Sequence, residues 1–244
     1  YSYNGNSNYS MNFDGVDDYV DLSQNNFSIQ GNNPRTISLW VNTMQSMTTF
    51  FSTGIASPGQ AFNIMTGIPP SPDGVVGIMG FSNDFYPISG TPINDGGWHY
   101  VTVTYDGVGN IKIYIDGILD NSFSGMSYNT TGQDNYIGMN NHGGTNKFPG
   151  FVDDVEYWNT ALNQQEIQNY MNCPPTGNES GLAGYWNFEE GSGNTTLDLT
   201  SNGNNGTING ASYDASVPQT CALTSSNGCD STSVLNLIIN NSVS

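Results

Sequence analysis

Basic residues are almost absent from this chain: three lysines and arginines stand against 21 aspartates and glutamates, a formal net charge of -18. So acidic a protein repels phosphate backbones and anionic lipid surfaces unless a cation intervenes, which sets nucleic acid aside as a partner. Long apolar runs are missing too. No stretch reaches the roughly 18 apolar residues that a membrane span needs, so membrane insertion is not expected. No basic segment followed by an apolar one opens the chain as a signal peptide would, and Tyr1 reads as a mature end or a cut boundary. Cysteine is scarce: Cys173, Cys221 and Cys229 leave an odd thiol whichever pair forms, and no Cys-x-x-Cys or Cys/His cluster has zinc spacing. A disulfide between Cys173 and Cys221 is favoured because each borders the same C-terminal segment, with closure between Cys221 and Cys229 as the competitor.

What is abundant suits short strands joined by many turns. Thirty glycines accompany 14 Tyr, 11 Phe and 4 Trp, while the hydrophobic share is only 36%. A length of 244 residues is enough to bury a full core without staples. Residues 36–41 alternate, with Ile37, Leu39 and Val41 on one side and Trp40 on the other. Residues 100–105 and 111–115 flank a loop at 106–110 with two glycines, the strongest hairpin signal in the chain. Asp116 and Gly117 supply a second tight turn, after which Ile118 and Leu119 start another strand. One short helix is expected over 163–171, where Asn163 caps and Glu166 completes a capping box. Residues 174–181 read as a linker, 182–188 as a further strand, and 234–239 as an isolated β-type run. The class is all-β with one short peripheral helix. The acidic, Asn-rich balance suits an extracellular, calcium-containing setting.

Several motifs carry a family resemblance. Residues 13–20 (Phe13, Asp14, Gly15 and onward), 37–41, 97–101 (with Trp98 and His99), 114–117 and 150–155 resemble, in that order, the motifs of LamG-like jelly-roll domains. The resemblance covers roughly residues 9–171 and implies a concanavalin A-like fold, a two-sheet antiparallel β-sandwich. Residues 186–193 and 202–208 also look like this family, but like the segment that ordinarily precedes the Phe-Asp-Gly strand. Either they complete the same sandwich or they begin a truncated second domain. Completion is preferred, because a two-strand fragment is only marginally stable alone. The expected domain is therefore 1–215, with 182–213 completing it. Residues 216–244 are read as a linker and the start of a repeat-like segment that resembles surface proteins of marine Bacteroidetes. Such a context implies a secreted or cell-surface location and covalently linked neighbouring domains.

The resemblance implies binding more than catalysis. The paired carboxylates of related sandwich hydrolases, in a Glu-x-Asp-x-(x)-Glu run, do not occur; the nearest candidates are Asp153, Asp154 and Glu156, and separately Glu189 and Glu190. His99 and His142 have no serine or cysteine motif beside them. By resemblance, a structural Ca2+ would tie the first strand to the last through Asp14, Gly15, Asp153 and Asp154, all hard-oxygen donors. For sugar recognition the loops offer rings beside amides: Asn83, Asp84, Phe85 and Tyr86 in one, Asn140, Asn141, His142 and Lys147 in another, with Trp158 at a strand end. Trp40, Trp98 and Trp186 lie inside the family motifs and are expected to pack. The expected role is a non-catalytic module that binds a polysaccharide, preferably a neutral galactan or glucan, within a larger secreted enzyme or surface protein. A protein-binding adhesive module and a polysaccharide lyase or hydrolase are the alternatives.

Overall fold

The computed structural model describes residues 8–24, 29–142 and 144–218. The chain runs through β1 (Ser10–Asp14), β2 (Tyr19–Asp21), β3 (Arg35–Asn42), β4 (Thr49–Gly54), β5 (Ala61–Thr66) and β6 (Val76–Met79). It continues through β7 (Trp98–Tyr105), β8 (Asn110–Ile115), β9 (Ile118–Ser124), β10 (Tyr136–Ile137) and β11 (Pro149–Trp158) to α1 (Gln164–Asn172), the one helix among the described residues. It then adds β12 (Leu182–Trp186), β13 (Thr195–Thr196), β14 (Gly206–Asn209) and β15 (Ser212–Asp214). These form two antiparallel sheets, a concanavalin A-like β-sandwich. One sheet has seven strands in the order β13-β14-β2-β10-β4-β5-β6. The other has eight, β15-β1-β11-β3-β7-β8-β9, with β12 also paired to β11.

Side-chain alternation fixes which face each residue joins. In the seven-stranded sheet Ile208, Val20, Ile137, Phe51, Ile64 and Ile78 stand directly opposite one another across six strands, and all lie in the main core. The eight-stranded sheet returns Met11, Val152 and Val41 to that core in one row, and Tyr157, Ile37, Val103 and Ile113 in another. Arg35, one of the few cations, is buried here. Its guanidinium donates to Thr130 Oγ1 at 2.7 Å and Gly31 O at 2.8 Å and lies 5.4 Å from the Phe62 ring centroid.

Local signals produce the elements expected of them. β7 and β8 pair as the hairpin, with Val101 opposite Ile115 and Tyr105 opposite Ile111. Asp116 and Gly117 both take positive φ, 52° and 72°, which lets β9 fold straight back. Asn163 Oδ1 accepts from Gln165 N and Glu166 N, and Glu166 Oε2 accepts from Asn163 N at 2.7 Å, closing the capping box of α1. Ile167 on α1 joins Tyr100, Tyr114, Trp158, Leu162, Leu182 and Tyr185 in a second core on the outer side of the eight-stranded sheet.

Residues beyond the helix are woven into both sheets: β12 lies on β11, β14 on β2, and β15 on β1. Cys173 is disulfide-bonded. The pairing expected with Cys221, the competing thiol Cys229, the run at 234–239 and residues 219–244 of the expected linker segment lie outside the described residues.

Candidate functional site

The outer side of the seven-stranded sheet is the complement of its core row. Thr207, Asp21, Tyr136, Ser52, Asn63 and Met79 oppose one another across the same six strands, each one residue away from its buried neighbour. Over the middle of this row lies the segment between β10 and β11. Ser52 Oγ donates to Met139 O at 2.9 Å, Asn63 Nδ2 donates to Asn141 Oδ1 at 2.9 Å, and Asn141 Nδ2 donates to Gly54 O at 2.6 Å. Asn140 Oδ1 accepts from His142 N and turns the chain. The segment is thus a ridge pinned to the sheet by buried amides, with His142 exposed on it.

Rings flank the ridge. On one side Tyr19 and Tyr136 are half-buried, their centroids 5.9 Å apart at a steep angle, with Lys147 Nζ 4.4 Å from the Tyr19 centroid. Burial pushes the Tyr136 hydroxyl above its usual range and the Lys147 ammonium below its own. On the other side Phe81 lies 5.4 Å from His142, and Tyr86 lies close to Gly77 of β6. Burial, and then the Asp84 carboxylate, hold the Tyr86 hydroxyl protonated well past its ordinary range.

The loop residues expected from sequence therefore divide. Tyr86, His142 and Lys147 stand on this face. Asn140 and Asn141 are buried in the ridge. Asn83 Nδ2 donates to Ser127 O and Asp84 Oδ1 accepts from Gly80 N, so both hold their own turn. Phe85 is buried and stacks on Phe123 at 5.1 Å, closing the sandwich edge. Trp158 is only 1% exposed, beneath α1 on the opposite sheet, with Tyr170 at 4.6 Å. Its removal from the site follows from the helix, which covers the strand end that alternation alone would leave open. Tyr19, Tyr136 and Phe81 were not singled out from sequence. β2 and β10 have three and two residues, too short for a period to register.

The set Asp14, Gly15, Asp153 and Asp154 does not converge. β1 pairs with β11 so that Asp14 faces Pro149, four residues before Asp153, or roughly 13 Å along the strand. Gly15, at φ 78°, instead turns the chain toward Asp17 and Asp18, and the carboxylates of Asp14, Asp17 and Asp18 come within 4.8 Å of one another. Asp18 Oδ2 accepts from Asp14 N at 2.8 Å, and Asp14 Oδ1 from Val16 N at 2.7 Å. Burial raises the Asp18 carboxyl, and Asp14 and Asp17 add to the rise.

The acids of β11 are internal. Asp154 sits in a β-bulge at φ 46° and accepts from Tyr185 Oη. Glu156 accepts from Tyr100 Oη and Trp158 Nε1, each at 2.9 Å, and is 1% exposed. Burial raises Asp153 well above the carboxylate range, raises Asp154, and pushes Glu156 to about 8. His99 is not a free base: Asp116 Oδ2 lies 2.9 Å from Nδ1 and Asp95 Oδ1 3.2 Å from Nε2, and the bond to Asp116 holds its pKa above the usual value.

Comparison with known proteins places this fold. A family model described as "Concanavalin A-like lectin/glucanases superfamily" matches residues 14–168. A Bacteroides ovatus protein provisionally assigned to carbohydrate binding superposes with a TM-score of 0.65 at 20% identity, over 88% of this chain and 61% of its own length. The chain thus spans about three fifths of that relative. A heptameric SAP-like pentraxin from Limulus polyphemus gives 0.58 at 16% identity over 88% of this chain and 98% of its own. Domain 4 of a Geobacillus stearothermophilus extracellular arabinanase, solved with arabinotriose, gives 0.50 at 20% identity over 66% and 75%. No curated protein sequence matches. Among the described residues no helix is long and apolar enough to cross a membrane.

Proposed function

Since the chain belongs to the concanavalin A-like lectin/glucanases superfamily, we propose that it is a non-catalytic carbohydrate-binding module that recognises a neutral polysaccharide on the outer side of its seven-stranded sheet. The observation that carries this is the half-exposed Tyr19–Tyr136 pair, set among Asp21, Lys147 and the pinned amide ridge. Rings take the apolar side of a pyranose, and neighbouring carboxylate, ammonium and amide groups take its hydroxyls. The net charge of -18 favours a neutral galactan or glucan, including those of marine organisms, over a sulfated or uronate chain. Arg35 is buried and offers no compensation. The module is secreted or displayed at a cell surface as part of a larger protein, where tethering makes even modest affinity useful.

Burial of Glu156 and Asp154 supports binding without cleavage. Glycoside hydrolysis needs two carboxyl groups flanking a bound linkage, and these two are committed to Tyr100, Trp158 and Tyr185 on the opposite sheet. Calorimetric titration of a neutral oligosaccharide should show Tyr136→Ala weakening affinity about tenfold, roughly 1.4 kcal/mol, with an unchanged melting temperature. Equal affinity in the variant would remove the site from this face. Failure with every glycan would favour an adhesive role toward protein, and new reducing ends or unsaturated products would establish an enzyme.

A structural Ca2+ belongs to the same reading. Asp14, Asp17 and Asp18 supply the hard oxygens such an ion takes, in the turn that joins one sheet to the other. Burial raises Asp18 most, and the crowding by Asp14 and Asp17 that adds to it is what a cation would relieve. Ca2+ is expected to raise the melting temperature by roughly 2–4 °C for each kcal/mol of linkage. Chelator should reverse the gain and Asp17→Asn abolish it; a melting curve indifferent to both would exclude the ion.

A further inference from the structure

We propose that the outer side of the eight-stranded sheet carries a second glycan-binding track, back to back with the first, so that one module can bridge two polysaccharide chains. Helix α1 covers only part of this side, the part over Tyr100, Tyr114, Trp158 and Tyr185. Beyond it, Ser212, Asn12, Phe151, Asn42 and Trp98 stand directly opposite one another on β15, β1, β11, β3 and β7. Five neighbouring strands make a straight row of roughly 19 Å. All but the exposed Ser212 are half-buried.

The row alternates amide and ring. Phe151 and Trp98 lean together over Asn42 to a centroid distance of 6.2 Å, and Trp40, also half-buried, continues the apolar surface one row away. Asn42 Nδ2 donates to Gly96 O at 2.9 Å, which orients the amide. Asn12 makes no side-chain hydrogen bond among the described residues. Asparagine is disfavoured within strands, and here two stand in one line without a core to complete, Asn42 between Phe151 and Trp98 and Asn12 between Phe151 and Ser212. Rings for C–H surfaces and amides for hydroxyls are the recognition chemistry of a sugar chain. No cation joins the row, so phosphate and sulfate find no partner there and a neutral glycan fits.

This proposal shares its ligand class with the reading above but uses separate residues, so the two can fail separately. Cellohexaose and laminarihexaose are titrated into the isotope-labelled chain, following side-chain amide and indole resonances. The expected result is a shift of the Asn12 and Asn42 amides and the Trp98 indole that persists in Tyr136→Ala. Trp98→Ala and the milder Asn12→Ala should weaken that response at least tenfold while leaving shifts around Tyr136 intact. Wild-type protein should also precipitate a soluble β-glucan that either single-face variant leaves clear. Shifts confined to the Tyr19 and Tyr136 side would overturn the second track alone, and shifts confined to the Asn12 and Trp98 side would overturn the first site alone. Silence on both sides with both hexaoses overturns the second track and removes glucan, though not galactan, from the first site.

Discussion

Raising the pH from 5 to 9 is expected to destabilise this protein by several kcal/mol, and Glu156→Gln is expected to remove a share of that loss on the order of 4 kcal/mol. Glu156 is sealed between the eight-stranded sheet and α1, and burial pushes its carboxyl from 4.5 to about 8. The native state therefore holds a proton that the unfolded chain releases above about 4.5. Where the folded form binds more protons than the unfolded one, stability falls with pH. The contribution is complete below 4.5 and disappears as pH rises through 8. By linkage it amounts to something on the order of 4 kcal/mol.

Other groups act in the same direction. Asp153 and Asp154 are raised by burial, and His99, raised by its bond to Asp116, loses its contribution over neutral pH. Asp95, Asp106 and Glu179 are lowered and act oppositely on acidification, but they are solvated and contribute little. Gln at 156 keeps the shape of the protonated acid: its carbonyl accepts from Trp158 Nε1, and its amide donates to the Tyr100 hydroxyl, which turns to accept. Urea unfolding at pH 5, 7 and 9 reads the effect. Parallel pH profiles for wild type and variant would show that Glu156 is not the buried acid responsible.

Gly150→Ala is the second large effect, expected to cost about 3–5 kcal/mol or to prevent folding, in line with a strained backbone position combined with overpacking. Gly150, the second residue of β11, has φ 138°, and a Cβ there would lie 2.2 Å from Asn42 O on the neighbouring strand. That atom is backbone and cannot swing away. The same rung pairs Gly150 with Phe13, a core residue, so displacement would disturb β1 and β3 together. Gly193→Ala is the control: it also has positive φ, 97°, but nothing lies within 4 Å of the added carbon. Thermal unfolding should separate the two sharply, and equal losses would mean that φ alone, not the contact with Asn42, sets the cost.

How far the sequence could be read follows from how local each signal is. The β7–β8 hairpin, the Asp116–Gly117 turn and the capping box of α1 each depend on residues a few positions apart, and each forms as the sequence predicts. Relations between distant strands are set by register, which composition does not encode. That is why Asp14 faces Pro149 rather than Asp153, and why Trp158, read as lying at a strand end, proves to lie beneath the helix. The rings Tyr19 and Tyr136 come together only because β2 and β10 pair across more than a hundred residues. On the second track, Asn12, Phe151, Asn42 and Trp98 come from four strands scattered over the chain. Phe151 and Trp98 lie within family motifs, where Trp98 is expected to pack, and alternation gave no sign that α1 would stop short of them.

Affinity electrophoresis through gels containing neutral glucans and galactans tests the central claim most directly. The account predicts that at least one such gel slows the wild-type chain, that the Tyr136→Ala variant is slowed less, and that no new reducing ends form. Unhindered migration through every neutral glycan, or retardation accompanied by released oligosaccharides, would contradict it.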